Sequence, residues 1–124
     1  LQKYDLPQAP LVFEIDMAAV LEREKTRYQA VSKFQPVRRD LAFVMPEATT
    51  FEQLQAALTT VCEPMLREIT LFDVYRGAGL PENHKSMALK VILQSTEDTL
   101  TDEVVEPIVA ELVAAAEGVG AKLR

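Results

Sequence analysis

Residues 71–93 read LFDVYRGAGLPENHKSMALKVIL, and the periodicity on either side of the central loop decides the fold. In the second half, Met87, Leu89, Val91 and Leu93 alternate with Ser86, Ala88, Lys90 and Ile92, the period of a strand with one face buried. The first half, with the few residues before it, predicts a partner strand over about 67–76. Between them GAGLPENHK supplies the glycine and proline of a turn. It is not a phosphate-binding loop, because the GxxxxGKS/T spacing is missing and no helix follows. The pair reads as a β-hairpin whose first strand ends on an acid, an aromatic ring and a cation: Asp73, Tyr75 and Arg76. A strand serving structure alone has no need of that set.

Upstream, VRRDLAFVMP (37–46) reads as a strand closed by Pro46, with Leu41, Phe43 and Met45 on one parity and Asp40, Ala42 and Val44 on the other. A helix follows. Thr49 with Glu52, or Thr50 with Gln53, makes a capping box. Phe51, Leu54, Leu58, Val61, Cys62 and Met65 then recur as one apolar stripe. Beyond the hairpin, STEDTL is a turn and TDEVVEPIVAELVAAAEGVG a second helix, with Thr101 as N-cap and Asp102 and Glu103 in its first turn. Val105, Ile108, Val109, Leu112 and Ala116 face the core, and Gly118 or Gly120 ends the helix. Pro107 conflicts with this pattern, since proline inside a helix removes a hydrogen bond and clashes one turn back. The expectation is a helix that begins at Pro107 or kinks there. AKLR is a short last strand.

From residue 37 the order is therefore β-α-β-β-α-β, the ferredoxin-like split β-α-β arrangement of the α+β class. Four antiparallel strands carry both helices on one face and leave the other face open. Ahead of this domain, LVFEIDMAAVLERE (11–24) alternates over Val12 to Asp16 and then turns rich in alanine, leucine and glutamate, a short strand running into a short helix. KTRYQAVSKFQP (25–36) is polar and aperiodic, a linker with a domain boundary near residue 30. The division is thus an appendage over 1–30 and the main domain over 31–124. The chain begins at Leu1 rather than Met, as expected of a piece of a longer protein.

With 124 residues, 48% hydrophobic and 26% charged, the chain can build one real core and remain water-soluble. No apolar run approaches the length of a membrane span, and nothing at the start reads as a signal peptide. Cys62, the single cysteine, cannot form an internal disulfide and reads as a small buried apolar residue in a reducing, cytoplasmic setting. His84 has no cysteine or histidine neighbour at ligand spacing, so a zinc site is not expected. No nucleophile–base pair is visible, which argues against catalysis within these residues. With 13 basic and 19 acidic residues the net charge is −6, so the bulk field repels nucleic acid and any such contact must rest on a local face.

Strand parity specifies that face. If Leu41, Phe43, Met87, Leu89, Val91 and Leu93 pack under the helices, then Ala42, Ser86, Ala88 and Lys90 are displayed. Phe72 and Val74 turn inward and Asp73 and Tyr75 outward; Ala121 and Leu123 turn inward and Lys122 and Arg124 outward. The same parity also turns Ile69 and Leu71 outward, which calls for a bulge or a covering domain. An acid, a ring, a hydroxyl, small residues and cations on one patch suit an unstacked nucleobase. The ring can stack, a carboxylate can accept from the N1–H and exocyclic amine of guanine, and lysine or arginine can hold phosphate. The plainer readings are a surface ion pair between Asp73 and Arg76, a wet edge tyrosine at 75, and a solvated charge run at Arg38, Arg39 and Asp40.

SKFQPVRRDLAFVMP, LFDVYRGAGLPENHKSMALKVIL and TLTDEVVEPIV together resemble the C-terminal ferredoxin-fold anticodon-binding domain of the bacterial phenylalanyl-tRNA synthetase beta subunit, over about residues 31 to 124. FEIDMAAVLE, within residues 1–30, looks like the tail of the catalytic-like module that precedes this domain in the family. The resemblance implies an open sheet face that holds the anticodon loop of phenylalanine tRNA, with the first anticodon base, a guanine, read most closely. Carried over by position, Asp73 accepts from that guanine, Tyr75 stacks, Ala42 and Ser86 line the base pocket, and Arg124 contacts RNA. Arg39 and Lys90 are further candidates for RNA contact. The resemblance also implies a parent ligase that uses ATP and magnesium in an α2β2 assembly with an alpha subunit, with no cofactor in this stretch and no membrane partner. The alternative is a regulatory or assembly module of the same fold that binds a small metabolite or a partner protein.

Overall fold

The computed structural model describes residues 7–124, and these divide into two compact units between Ala30 and Val31. In the first unit the only regular element among the described residues is the short helix α1 (Met17–Leu21), capped by the Asp16 carboxylate, which accepts from the Ala18 N–H at 2.9 Å. The strand expected over Val12 to Asp16 is absent. An isolated strand leaves its backbone donors and acceptors unpaired, and among the described residues of this unit there is no second strand to meet them. Its apolar side chains are consequently bare: Leu11, Val12 and Phe13 are each more than four-fifths exposed.

The second unit is β1 (Val37–Pro46), α2 (Phe51–Cys62), β2 (Leu66–Tyr75), β3 (His84–Leu93), α3 (Asp102–Gly118) and β4 (Lys122–Leu123). The sheet order is β2-β3-β1-β4, with β1 antiparallel to both neighbours and β2 antiparallel to β3. That is the ferredoxin-like α+β fold anticipated from the hydrophobic pattern. Phe43, Leu89, Val91 and Leu93 are fully buried on the face that also receives Leu54 and Leu58 of α2 and Val105 and Leu112 of α3. Burial of side chains this size contributes about 1.5–3 kcal/mol each. Cys62 joins this core at 5% exposure, and burial pushes its thiol up, with Glu111 adding to the shift.

Local chemistry explains the helix ends. Of the two possible capping boxes, Thr50 and Gln53 form the real one: the Gln53 N–H donates to Oγ1 of Thr50, and the Thr50 N–H donates to the Gln53 side chain. The stripe continues past α2 only in contact, not in conformation. Glu63 is already extended ahead of Pro64, and Met65 packs on the core from outside the helix. At α3 the helix starts at Asp102, so Pro107 lies inside it rather than at its head. The donor that Pro107 lacks would have reached the Glu103 carbonyl, and both residues are exposed, which leaves that carbonyl open to water. Thr101 caps with its backbone alone, its carbonyl accepting from Val104 and Val105 at 3.0 Å. The other end is a Schellman motif. Gly120, at φ +84, donates to the Glu117 carbonyl, Ala121 donates to the Ala116 carbonyl, and Ala116 and Ala121 are both fully buried.

The hairpin strand β2 departs from simple alternation at two places. Pairing shifts between Leu66 and Glu68 and again between Leu71 and Asp73. The second shift is a β-bulge that leaves Phe72 unpaired. It lets Ile69 and Leu71, opposite the buried Val91 and Leu89, face the core, while Asp73 and Tyr75 still fall opposite Ala88 and Ser86 on the other face. Phe72, expected to point inward, is instead 55% exposed, and Leu123, also expected inward, is half exposed on the two-residue edge strand.

Candidate nucleic-acid interface

The face opposite the helices is assembled from the outward parity of all four strands. Cross-strand partners in an antiparallel ladder share a face, so the pairs Asp40–Lys90, Ala42–Ala88, Val44–Ser86, Thr70–Lys90, Asp73–Ala88, Tyr75–Ser86 and Val44–Lys122 define it. The residues singled out from the sequence as Ala42, Asp73, Tyr75, Ser86, Lys90 and Arg124 all map here. Arg124 reaches it by continuing β4: its N–H donates to the Ala42 carbonyl at 2.8 Å.

Arg39 does not belong to this face. It stands opposite Val91 in the ladder, on the parity that faces the helices. Its guanidinium donates to Asp102 at 2.9 Å and lies 3.7 Å from Glu106, both on α3. The structure therefore sets Arg39 apart from the other candidates, on the helix side of the sheet. The signal was present in the sequence, because Arg39 shares parity with Leu41 and Phe43.

One end of the face is built from Asp73, Tyr75, Ser86, Ala42 and Arg124. The Arg124 guanidinium carbon lies 5.6 Å from the centroid of the Tyr75 ring, within cation–π range. Because β2 and β4 are the two edges of the sheet, this contact spans its width. Ser86 lies between Tyr75 and Val44 in the ladder and is only 3% exposed although it faces outward. The Tyr75 hydroxyl donates to the Ala78 carbonyl at 3.0 Å. Asp73 is exposed, and among the described residues no side chain hydrogen-bonds or ion-pairs with it. Nor does it pair with Arg76, whose guanidinium instead grips Glu47, with Nη2 at 2.6 Å and Nε at 3.0 Å. That partnership joins residues 29 positions apart, and no local spacing could have announced it.

The other end of the face is self-neutralised. Arg38 donates to Asp40 at 2.8 and 2.9 Å, and this hydrogen bond holds the Asp40 carboxyl below its usual range and raises Arg38. Lys90 lies 2.8 Å from Glu68, and Thr70 donates to the same carboxylate. The hydrogen bond from Lys90, then that from Thr70, holds the Glu68 carboxyl low. Among the described residues there is no cluster of three or more histidine, cysteine or acidic side chains able to hold a metal, and no helix long and apolar enough to cross a membrane.

These features define a class: a ferredoxin-like α+β domain presenting an open, polar sheet face with an exposed ring, an exposed carboxylate and a cation at one end. Residues 32–124 match the family model described as "Ferredoxin-fold anticodon binding domain", and the chain belongs to that family. Over its full length the chain is 67% identical to the phenylalanine-tRNA ligase beta subunit of Neisseria meningitidis serogroup A, covering 16% of that protein. It is 65% identical, again over its full length and 16% of the relative, to the beta subunit of Neisseria gonorrhoeae. With the beta subunit of Chromobacterium violaceum it shares 49% identity over 99% of the chain and 16% of the relative. The chain thus spans about a sixth of the length of the curated relatives it matches.

Proposed function

We propose that the open face of residues 31–124 reads the anticodon loop of phenylalanine tRNA. In this reading Tyr75 stacks on an unpaired base, and the Asp73 carboxylate accepts from the N1–H and exocyclic amine of the first anticodon guanine. Ala42 and Ser86 line the base pocket, and Arg124 contacts the RNA. Lys90 is a secondary candidate, since Glu68 already engages its charge. The observation that carries the reading is the gathering of Asp73, Tyr75 and Arg124 at one end of the face, with the Asp73 carboxylate exposed and free of side-chain partners among the described residues. An exposed ring beside an exposed acceptor is what a splayed base requires.

The parent protein, by the same proposal, is the beta subunit of an ATP- and magnesium-dependent phenylalanine-tRNA ligase. It works with an alpha subunit in an α2β2 assembly in the cytoplasm. This chain supplies recognition rather than chemistry, and residues 1–30 are the tail of the module that precedes it. The relatives' names and the family match support this assignment. The bare apolar side chains of residues 11–13 are in keeping with a segment whose strand partners lie elsewhere in the parent.

The test is fluorescence anisotropy of a labelled phenylalanine anticodon stem-loop titrated with the full chain, beside a loop whose first anticodon guanine is replaced. A preference for guanine that disappears in Asp73→Ala supports base reading. Equal, purely salt-driven binding to both loops reduces the site to phosphate contact and overturns the reading.

A further inference from the structure

Tyr75 is the last residue of an edge strand, a place where a ring would ordinarily sample several rotamers. Here two features of the following turn restrict it. The phenolic hydroxyl donates to the Ala78 carbonyl at 3.0 Å, so the far end of the ring is tethered three residues along the chain. Between them sits Gly77 at φ +152, a conformation that side chains other than glycine rarely adopt. A Cβ at that position would stand 3.0 Å from the Tyr75 hydroxyl oxygen and 3.3 Å from Cζ. A side chain there would strain the backbone and press on the ring where it lies back on the turn.

The turn is in turn held by one residue outside the hairpin. Glu47, just beyond β1, uses each of its polar groups on it. Its carboxylate accepts from Arg76, its N–H donates to the Asn83 carbonyl at 2.8 Å, and its carbonyl accepts from Lys85 Nζ at 2.9 Å. Lys85 is 6% exposed, so this last bond is shielded from water. Residues on both sides of the turn, Arg76 before it and Asn83 and Lys85 after it, are thereby bolted to the end of β1.

We infer that Gly77 and Glu47 are positioning residues for Tyr75, fixing the ring on the open face before any ligand arrives. The inference rests on the RNA reading proposed above and adds to it the residues that pre-organise the stacking platform. A ring already immobilised loses less freedom on binding, and immobilising one side chain is worth roughly two- to tenfold in affinity.

Two measurements on the full chain test it. In the RNA-free chain, nuclear Overhauser contacts between the Tyr75 ring protons and the Gly77 α-protons report whether the ring is held. They are expected in the unaltered chain and weakened in Glu47→Ala; a ring that averages freely in the unaltered chain overturns the inference. In the anticodon stem-loop titration, Tyr75→Phe keeps the ring and deletes only its tether. It should bind about two- to tenfold more weakly with an unchanged salt slope, Gly77→Ala should do the same, and Tyr75→Ala should lose more. Because Gly77→Ala also strains the backbone, Tyr75→Phe is the cleaner variant. If Tyr75→Phe and Gly77→Ala bind like the unaltered chain while Tyr75→Ala is weakened, positioning is overturned and RNA reading stands. If Tyr75→Ala also binds normally, the ring is no stacking platform and the positioning inference is overturned, while guanine preference still decides the RNA reading.

Discussion

The two ends of the open face are made from the same strands and carry the same kinds of side chain, yet they are organised in opposite ways. At one end each charge has been answered from within: Arg38 by Asp40, and Lys90 by Glu68, which Thr70 also engages. At the other end Asp73 has no side-chain partner among the described residues, and Arg124 rests on a ring rather than on a carboxylate. Charges satisfied locally gain little from a new partner, because an incoming group must first displace the existing one. Charges and rings left open keep their interaction capacity for something else. In the proposed reading this difference places recognition at the Asp73–Tyr75–Arg124 end and leaves the other end satisfied from within. In that reading a chain of net charge −6 must meet RNA through a local face. Helix α3 carries Asp102, Glu103, Glu106, Glu111 and Glu117 with no lysine or arginine, so much of the negative charge lies behind the sheet and turns phosphate toward its open side.

The largest expected effect separates the two ends directly. Tyr75→Ala removes the stacking platform, worth roughly 1–3 kcal/mol per base, and should weaken binding of the anticodon stem-loop by about 5–150-fold. As an exposed side chain its loss should shift stability by no more than about 0.5 kcal/mol, which a thermal melt checks. If the melt collapses instead, Tyr75 is structural and the contrast between the ends dissolves.

Lys90→Ala probes the self-neutralised end with the same assay. Since Glu68 already holds the ammonium, affinity should change far less than in Tyr75→Ala. The slope of log affinity against log salt should fall by less than the value of about 0.7 that one full phosphate contact to a single strand would give. A loss as large as that of Tyr75→Ala would show that the ion pair opens for RNA, and the division of the face would have to be redrawn.

A smaller effect is expected from Arg39→Ala, which tests the boundary between the open face and the helix layer. Its partners are Asp102 and Glu106 on α3, so stability should fall by about 0.2–1 kcal/mol while stem-loop binding stays within about twofold of the unaltered chain. Urea unfolding and the anisotropy titration read the two quantities separately. An RNA defect without a stability defect would return Arg39 to the recognition set.

Much of this arrangement could be read from residue order alone, and the exceptions share a cause. The strand parity of β1 and β3 is regular, so the outward placement of Ala42, Ser86, Ala88 and Lys90 followed from it. In β2 the bulge at Phe72 resets the parity, which is why a reading by alternation put Ile69 and Leu71 on the wrong side and Phe72 in the core. A bulge is a property of strand pairing, not of the strand: the outward turn of Ile69 and Leu71 called for one, but nothing in a run such as TLFDVY places it at Phe72. The Arg76–Glu47 and Arg39–Asp102 partnerships join residues 29 and 63 positions apart, distances at which only the assembled sheet decides who meets whom. Val12 to Asp16 failed for the complementary reason: the alternation is present, but a strand forms only when another lies beside it.

The smallest effect concerns pH, and its sign follows from the direction of the carboxyl shifts. Asp40, Glu47 and Glu68 are each held below their usual range, chiefly by hydrogen bonds from Arg38, Arg76 and Lys90 respectively. Lowered carboxyls bind fewer protons in the folded chain than in the unfolded one, so stability increases with pH across that interval. The contribution is complete above the unfolded carboxylate value of about 4 and is lost as pH falls through the lower folded values. All three groups are exposed, so the slope should be shallow and should flatten further in high salt. Thermal midpoints measured between neutral pH and about pH 3 at low and high salt should show it, and the double variant Arg38→Ala, Asp40→Ala should remove its share. The same double variant should keep its preference for guanine in the stem-loop titration, and a loss of that preference would draw the paired end into recognition.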